Sequence, residues 1–190
     1  MSNVEMENVK LSMPLRRWKR LSEKILYENP WWTYKLDSFE ISEGHRGEYH
    51  YVHTAGASLV IPVFPDGRLL LVRQFRYLCD RESLEFPCGG VKEGSSYEHT
   101  ARQELAEEAG LEARILEYVG EFNPYNGVTN EMCRVFLARE FSPVESRPDA
   151  TEEFEQVIVT RAELDRMIDA GEVWDGMTLA AWTLVRRKIQ

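Results

Sequence analysis

The chain has few cysteines, no long apolar run and no excess of positive charge. Cys79, Cys88 and Cys133 are its three cysteines in 190 residues, and their spacing matches no metal-ligand pattern. That scarcity excludes a disulfide-dense secreted scaffold and reads as free thiols in a reducing cytoplasm. No stretch approaches the roughly 20 apolar residues that span a bilayer. The N-terminus also lacks the apolar core of a signal peptide, so a soluble cytoplasmic protein without a membrane partner is expected. Lys and Arg number 23 against 32 Asp and Glu, a net charge of −9. A balance this acidic argues against nucleic acid as a partner. It leaves a nucleotide ligand open, because bound cations would carry the local positive charge. Internal repeats and low-complexity segments are absent as well, and the length suits one domain with an appendage.

What the chain does have is a concentrated acidic motif. In Gln103-Glu104-Leu105-Ala106-Glu107-Glu108-Ala109-Gly110-Leu111, the glutamates stand at i, i+3 and i+4, neighbours on one helical face. Like charges so placed repel, unless the face is simply solvated. A hard divalent cation reverses the penalty, since Mg²⁺ takes carboxylate oxygens together with substrate phosphates. Upstream, Pro87-Cys88-Gly89-Gly90-Val91-Lys92-Glu93-Gly94 is a glycine-rich loop that brings backbone close to a ligand. Ser95 or Ser96 is expected to cap the helix, and Ser95-x-x-Glu98 has the capping-box spacing. Gly110 is expected to end it.

From Gly89 to Leu111 the chain resembles the Nudix box, G-x5-E-x7-R-E-U-x-E-E-x-G-U, with U a bulky aliphatic residue. Gly89, Glu104, Leu105, Glu107, Glu108, Gly110 and Leu111 fill seven of the nine specified positions. Two positions depart together: Ser95 stands where the box has Glu, and Gln103 where it has Arg. In the family those two form a salt bridge between loop and helix. A Ser hydroxyl and a Gln amide are able to hydrogen-bond to each other instead, so reduced or altered catalysis stays open. Arg102 points about 100° away around the helix and is a poor substitute.

The flanks narrow the resemblance. Val72-Arg73-Gln74-Phe75-Arg76 followed by Leu84-Glu85-Phe86-Pro87-Cys88-Gly89 is similar to the signature of ADP-ribose and nucleotide-sugar pyrophosphatases. The resemblance implies that Arg76 contacts phosphates and that Glu85 lies at the site. Tyr125-Asn126-Gly127 occupies the slot of a Ser-Pro-Gly motif, with Glu131 at the expected place downstream. The missing proline leaves room for GDP-mannose or another nucleotide sugar. Trp31 and Trp32 sit beside an expected N-terminal hairpin, Thr33–Ile41 and Glu48–Val52, which alternates as half-buried strands do. In this branch an N-terminal sheet is exchanged across a homodimer and an aromatic from it stacks on the base. Trp32 and Tyr125 are therefore candidate substrate contacts, with plain packing as the alternative for each.

The expected fold is α/β: a Nudix α/β/α sandwich with a mixed sheet over residues 51–190 and an arm with a dimerisation hairpin over 1–50. The first fifteen residues read as a frayed arm and Trp18–Tyr27 as mostly polar. Ala57–Val63 and Arg68–Phe75 read as strands, the first buried on both faces. Further strands are expected over Ala113–Phe122, Met132–Ala138 and Gln156–Val159, a loop over Phe141–Thr151, and helices over Arg161–Ala170 and Leu179–Lys188. The resemblance implies Mg²⁺, or Mn²⁺, held by Glu104, Glu107, Glu108 and the carbonyl of Cys88. It also implies a general base from an E-x-E pattern ahead of a late strand. Glu153 is the first candidate, with Glu152 and Glu155 close behind. The expected reaction splits the pyrophosphate of ADP-ribose or a related nucleoside diphosphate sugar into nucleoside monophosphate and sugar phosphate. A catalytically weak nucleotide-sugar binding protein is the alternative raised by Ser95 and Gln103.

Overall fold

The protein is described by a computed structural model over residues 15–147 and 152–189. Nearly all of the expected N-terminal arm, and part of the Phe141–Thr151 loop, lie outside these residues.

Strands β1 (Lys19–Glu28), β2 (Thr33–Ser42) and β3 (His45–His53) form an antiparallel sheet in the order β1-β2-β3. The expected hairpin, β2 with β3, is thus part of a three-stranded sheet in which β2 is central. The segment read as mostly polar is the edge strand β1, registered on β2 from Lys19 opposite Glu40 to Glu28 opposite Thr33. Every residue of β1 is exposed, so no buried face imposes a period-two pattern to read. The turn between β1 and β2 is set by Asn29, whose Oδ1 accepts the N–H groups of Trp31 and Trp32, each at 2.9 Å.

The core is built around β4 (Ala57–Pro62), buried along its whole length as expected. It lies parallel to β9 (Cys133–Pro143) and antiparallel to β7 (Cys88–Gly90), with β8 (Leu111–Phe122) on the far side of β9. A second sheet has the order β10 (Glu155–Val159), β5 (Leu69–Arg76), β6 (Arg81–Glu85). Alternation sends side chains to two faces. Leu59, Ile61, Leu69, Leu71, Val135 and Leu137 pack against Leu164 of α2 (Arg161–Asp169) and Trp182 and Val185 of α3 (Gly176–Val185). Val60, Leu70, Val72, Phe136 and Ala138 pack against Ala101, Leu105 and Ala109 of α1 (Tyr97–Ala109). Helices therefore cover both faces, giving the α/β/α sandwich. Each fully buried leucine contributes about 1.5–3 kcal/mol relative to exposure.

Helix α1 begins at Ser96, whose side chain accepts the His99 N–H at 3.1 Å. The cap is one residue later than the Ser95-x-x-Glu98 box requires, so that box does not form. Gly110 ends the helix with φ +58° and donates its N–H to Ala106, after which Leu111 opens β8 at once. A left-handed residue is what lets a helix turn so sharply into a strand. Strand β9 runs on to Pro143, into the segment read as loop, because Phe141 finds a partner in Ala113 of β8.

Candidate active site

The glycine loop and the acidic helix meet at Gly89. A β-carbon built there would lie 2.2 Å from the Glu104 carboxyl carbon and from its Oε1. Only glycine gives the Glu104 carboxylate that space against the backbone. Glu108, one turn on, is buried and accepts the Cys88 N–H at 3.3 Å. Both carboxylates are thus laid on the Cys88–Gly89 backbone.

Burial pushes the Glu108 carboxyl up to about 9, with the Glu104 charge and then the Glu152 charge acting in the same direction. The Cys88 N–H bond and the Arg76 guanidinium oppose the shift and do not cancel it. Two acidic groups forced together in a dry place are costly, and a divalent cation between them would remove that cost. The Glu104 carboxylate seated against Gly89 beside the strained Glu108 carboxyl is an arrangement that a divalent cation would suit. Among the described residues no group of three or more His, Cys, Asp or Glu side chains converges on one point suited to an ion. Glu107 is half-buried on the same helix, and its carbonyl accepts the Ser146 hydroxyl. A hydrogen bond to Cys133 and then desolvation push the partly buried Cys88 thiol well above its ordinary range. The side chain is turned toward the core it packs against, which leaves the Cys88 backbone as the part available to a ligand.

The hydrogen bond between Ser95 and Gln103 does not form. Ser95 Oγ is buried with no partner among the described residues. Arg102 is committed elsewhere, to Glu98 at 3.0 Å and to the Ala113 carbonyl at 2.7 Å. The Cys88–Glu108 bond ties the loop to the helix.

Arg76 and Glu85 come together as a two-pronged ion pair, with Arg76 Nε donating to Glu85 Oε1 at 2.7 Å and Nη2 to Oε2. Glu85 is buried and Arg76 half-exposed, so the guanidinium turns one edge to the carboxylate and leaves its remainder at the surface. The pair opens on a cleft of about 940 Å³, also lined by Arg73, Glu152, Glu153, Phe154, Trp174 and Asp175. Glu153 and Glu152 are exposed there. The Glu85 hydrogen bond, and after it the Glu85, Asp175 and Cys88 charges, raise the Arg76 pKa against the desolvation that lowers it. Trp174 is fixed by its Nε1–H on the Glu82 carbonyl at 3.0 Å and by Arg81 lying 3.7 Å over its ring. Asp175 caps α3 through the Thr178 N–H at 2.7 Å. Thr178 in turn accepts the Phe86 N–H at 3.1 Å, anchoring the strand end ahead of the glycine loop. Trp174 and Thr178 lie about ninety residues from their partners, and no local pattern announces them. Asp175 had a readable signal, an acidic residue just before an apolar helix.

The other expected contacts lie apart from this cleft in the single chain. Trp32 packs against Tyr27 at 5.5 Å in the N-terminal sheet. Tyr125 is exposed on the β8–β9 loop. Glu131 accepts the Thr54 hydroxyl at 2.8 Å, where that sheet joins the core.

Residues 53–180 match the NUDIX domain. The chain belongs to that family. It is a Nudix hydrolase, and its relatives include ADP-ribose pyrophosphatases. The ADP-ribose pyrophosphatase of Bacillus subtilis (strain 168) is 31% identical over 170 residues, covering 86% of this chain and 92% of that protein. The ADP compounds hydrolase NudE of Escherichia coli (strain K12) is 22% identical over 178 residues, covering 93% and 95%. The crystal structure of an ADP compounds hydrolase superposes with a TM-score of 0.79 at 22% identity, covering 93% of this chain and 96% of that one. The α/β/α sandwich is therefore the Nudix fold.

Proposed function

We propose that this Nudix hydrolase is a Mg²⁺-dependent pyrophosphatase acting on ADP-ribose or a related nucleoside diphosphate sugar. The observation that carries the reading is the laying of Glu104 and Glu108 onto the Cys88–Gly89 backbone beside the Arg76 cleft. Glu104, Glu108 and the Cys88 carbonyl would hold the metal, Mg²⁺ or Mn²⁺, with Glu107 joining directly or through water. Bound metal supplies phosphate charge neutralisation and a water of lowered pKa.

The protein's own part is positioning and proton handling. Arg76 presents its outward N–H groups to the phosphates, while Glu85 fixes the guanidinium and Gln74 reaches the same carboxylate at 3.4 Å. Glu153, exposed at the cleft, takes the proton from the attacking water, with Glu152 and Glu155 as alternates. The water oxygen bonds to one phosphorus and the bridging P–O bond breaks, giving nucleoside monophosphate and sugar phosphate. Glu131, Tyr125 and Trp32 serve the substrate across a homodimer, in which the apolar side chains exposed on β1 (Leu21, Ile25, Leu26 and Tyr27) meet a second copy.

A second reading, a nucleotide-sugar binding protein with weak turnover, is favoured by the orphaned Ser95 hydroxyl. Product analysis separates the two. Purified protein with Mg²⁺ is offered ADP-ribose, GDP-mannose and UDP-glucose, and products are resolved by anion-exchange chromatography. Nucleoside monophosphate and sugar phosphate in equal amounts are expected from at least one, and none with a chelator. Binding without product from any of them would favour the second reading.

A further inference from the structure

The last turn of α1, which carries Glu108, is fastened to the stem that carries Glu153. The final carbonyls of a helix have no partner within it and need one from elsewhere. Two segments supply partners here, one following β9 and one opening β10. The Ser146 hydroxyl donates to the Glu107 carbonyl, and Val144 N–H donates to the Gly110 carbonyl at 2.9 Å. Gln156 Nε2 donates to the Ala109 carbonyl at 3.0 Å. Ser146 and Gln156 thus hold the carbonyls of the two residues that flank Glu108 in the chain.

Gln156 is the contact nearest to Glu153. It stands opposite Val72 in the register of β10 on β5, so both side chains belong to the face that α1 covers. Phe154, two residues earlier, packs against the same apolar cluster. Glu155 alternates to the other face, where Arg73 pairs with it and also with Glu82, the latter at 3.2 Å. Each of the three residues after Glu153 is therefore anchored: Phe154 to the core, Glu155 to β5 and Gln156 to α1. Glu153 stands at the end of this stem and is exposed to the Arg76 cleft. The charge of its neighbour Glu152 is felt at Glu108, so the stem and the carboxylate helix face the same space.

A proton acceptor works only within hydrogen-bond reach of the water it serves. The distance from the metal-side carboxylates to the acceptor is set by whatever joins the two elements, and the Gln156 bond joins them directly. We propose that Gln156 is a positioning residue for hydrolysis, acting through Glu153 by holding the β10 stem to the Ala109 carbonyl. The inference rests on the hydrolase reading and on Glu153 as the base.

The test is steady-state kinetics with Mg²⁺ and ADP-ribose on the full chain. Gln156→Met keeps the length of the side chain and lacks the donor. Its kcat should fall about tenfold with KM unchanged, as a slightly misplaced group requires. Gln156→Lys restores a donor, which a helix C-terminus favours, and should recover most of that loss. Glu153→Gln alone should lose about a hundredfold or more, the scale of a general base. Adding Gln156→Met to Glu153→Gln should cost nothing further, because the group it positions is gone. In the metal-free protein, amide hydrogen exchange over residues 153–156 should quicken in Gln156→Met and not in Gln156→Lys. Additive losses in the double variant, a raised KM with kcat intact, no recovery with Lys, unchanged exchange, or full activity of Glu153→Gln would each overturn the proposal. Wild-type turnover in the same assay would leave the hydrolase reading standing in all of those cases. Absence of wild-type turnover on ADP-ribose and on other nucleotide sugars would overturn the hydrolase reading and this proposal with it.

Discussion

At Gly89 the absence of one β-carbon decides where Glu104 sits, since the carboxylate occupies the space that atom would take. Gly89→Ala is expected to displace Glu104 and to lower kcat by about a hundredfold, the scale of an ångström-sized misplacement in a positioned site. The thermal midpoint should change little, and steady-state kinetics beside a melting curve would check both parts. Glu108 carries the opposite kind of strain. Its folded-state pKa, about 9, lies above its ordinary value of 4.5. The metal-free protein therefore keeps this group's stability below about pH 4.5 and loses it as pH rises toward 9. Glu108→Gln keeps an acceptor for the Cys88 N–H and removes the charge. In chelator the variant should melt several degrees above wild type at pH 8 and close to it near pH 4.5, as calorimetry would show. A lower midpoint at pH 8 would mean that the carboxylate is not under strain.

Among the elements, α3 has the least obvious connection to the site. Its Thr178 is fully buried and holds the Phe86 N–H two residues ahead of Cys88. Thr178→Val keeps the shape and orphans that N–H, so a loss of about 1–3 kcal/mol is expected, measured by denaturant unfolding. Most elements were legible in the sequence for reasons visible in their residues. β4 is an apolar run broken only by Ser58 because it is buried on both faces. The acidic helix is bounded by Ser96 and Gly110, which physically begin and end it. β1 was not legible, because an edge strand exposed throughout carries no burial pattern. Ser95 illustrates the limit at the residue scale: its possible partners were readable, but its orphaned burial was not. Trp174 and Thr178 escaped for a related reason, since their partners come from far along the chain.

For the whole molecule, charge and topology act together. The net charge of −9 is gathered partly around one cleft, where Glu85, Glu152, Glu153, Glu155 and Asp175 face Arg73 and Arg76. A phosphate-bearing substrate meets such a surface favourably only when cations accompany it. The two-faced sandwich supplies the frame: α1 delivers the carboxylates from one side of the sheet and α3 anchors the glycine loop from the other. The N-terminal sheet adds a separate surface joined to the frame through Val52, Thr54 and Tyr49. The most direct measurement is the rate of AMP and ribose 5-phosphate release from ADP-ribose across a Mg²⁺ titration, in wild type, Glu104→Gln and Glu108→Gln. The structure predicts saturable Mg²⁺ dependence in wild type and loss of turnover in both variants that added metal does not restore. Undiminished turnover in Glu108→Gln, or turnover independent of metal, would contradict it.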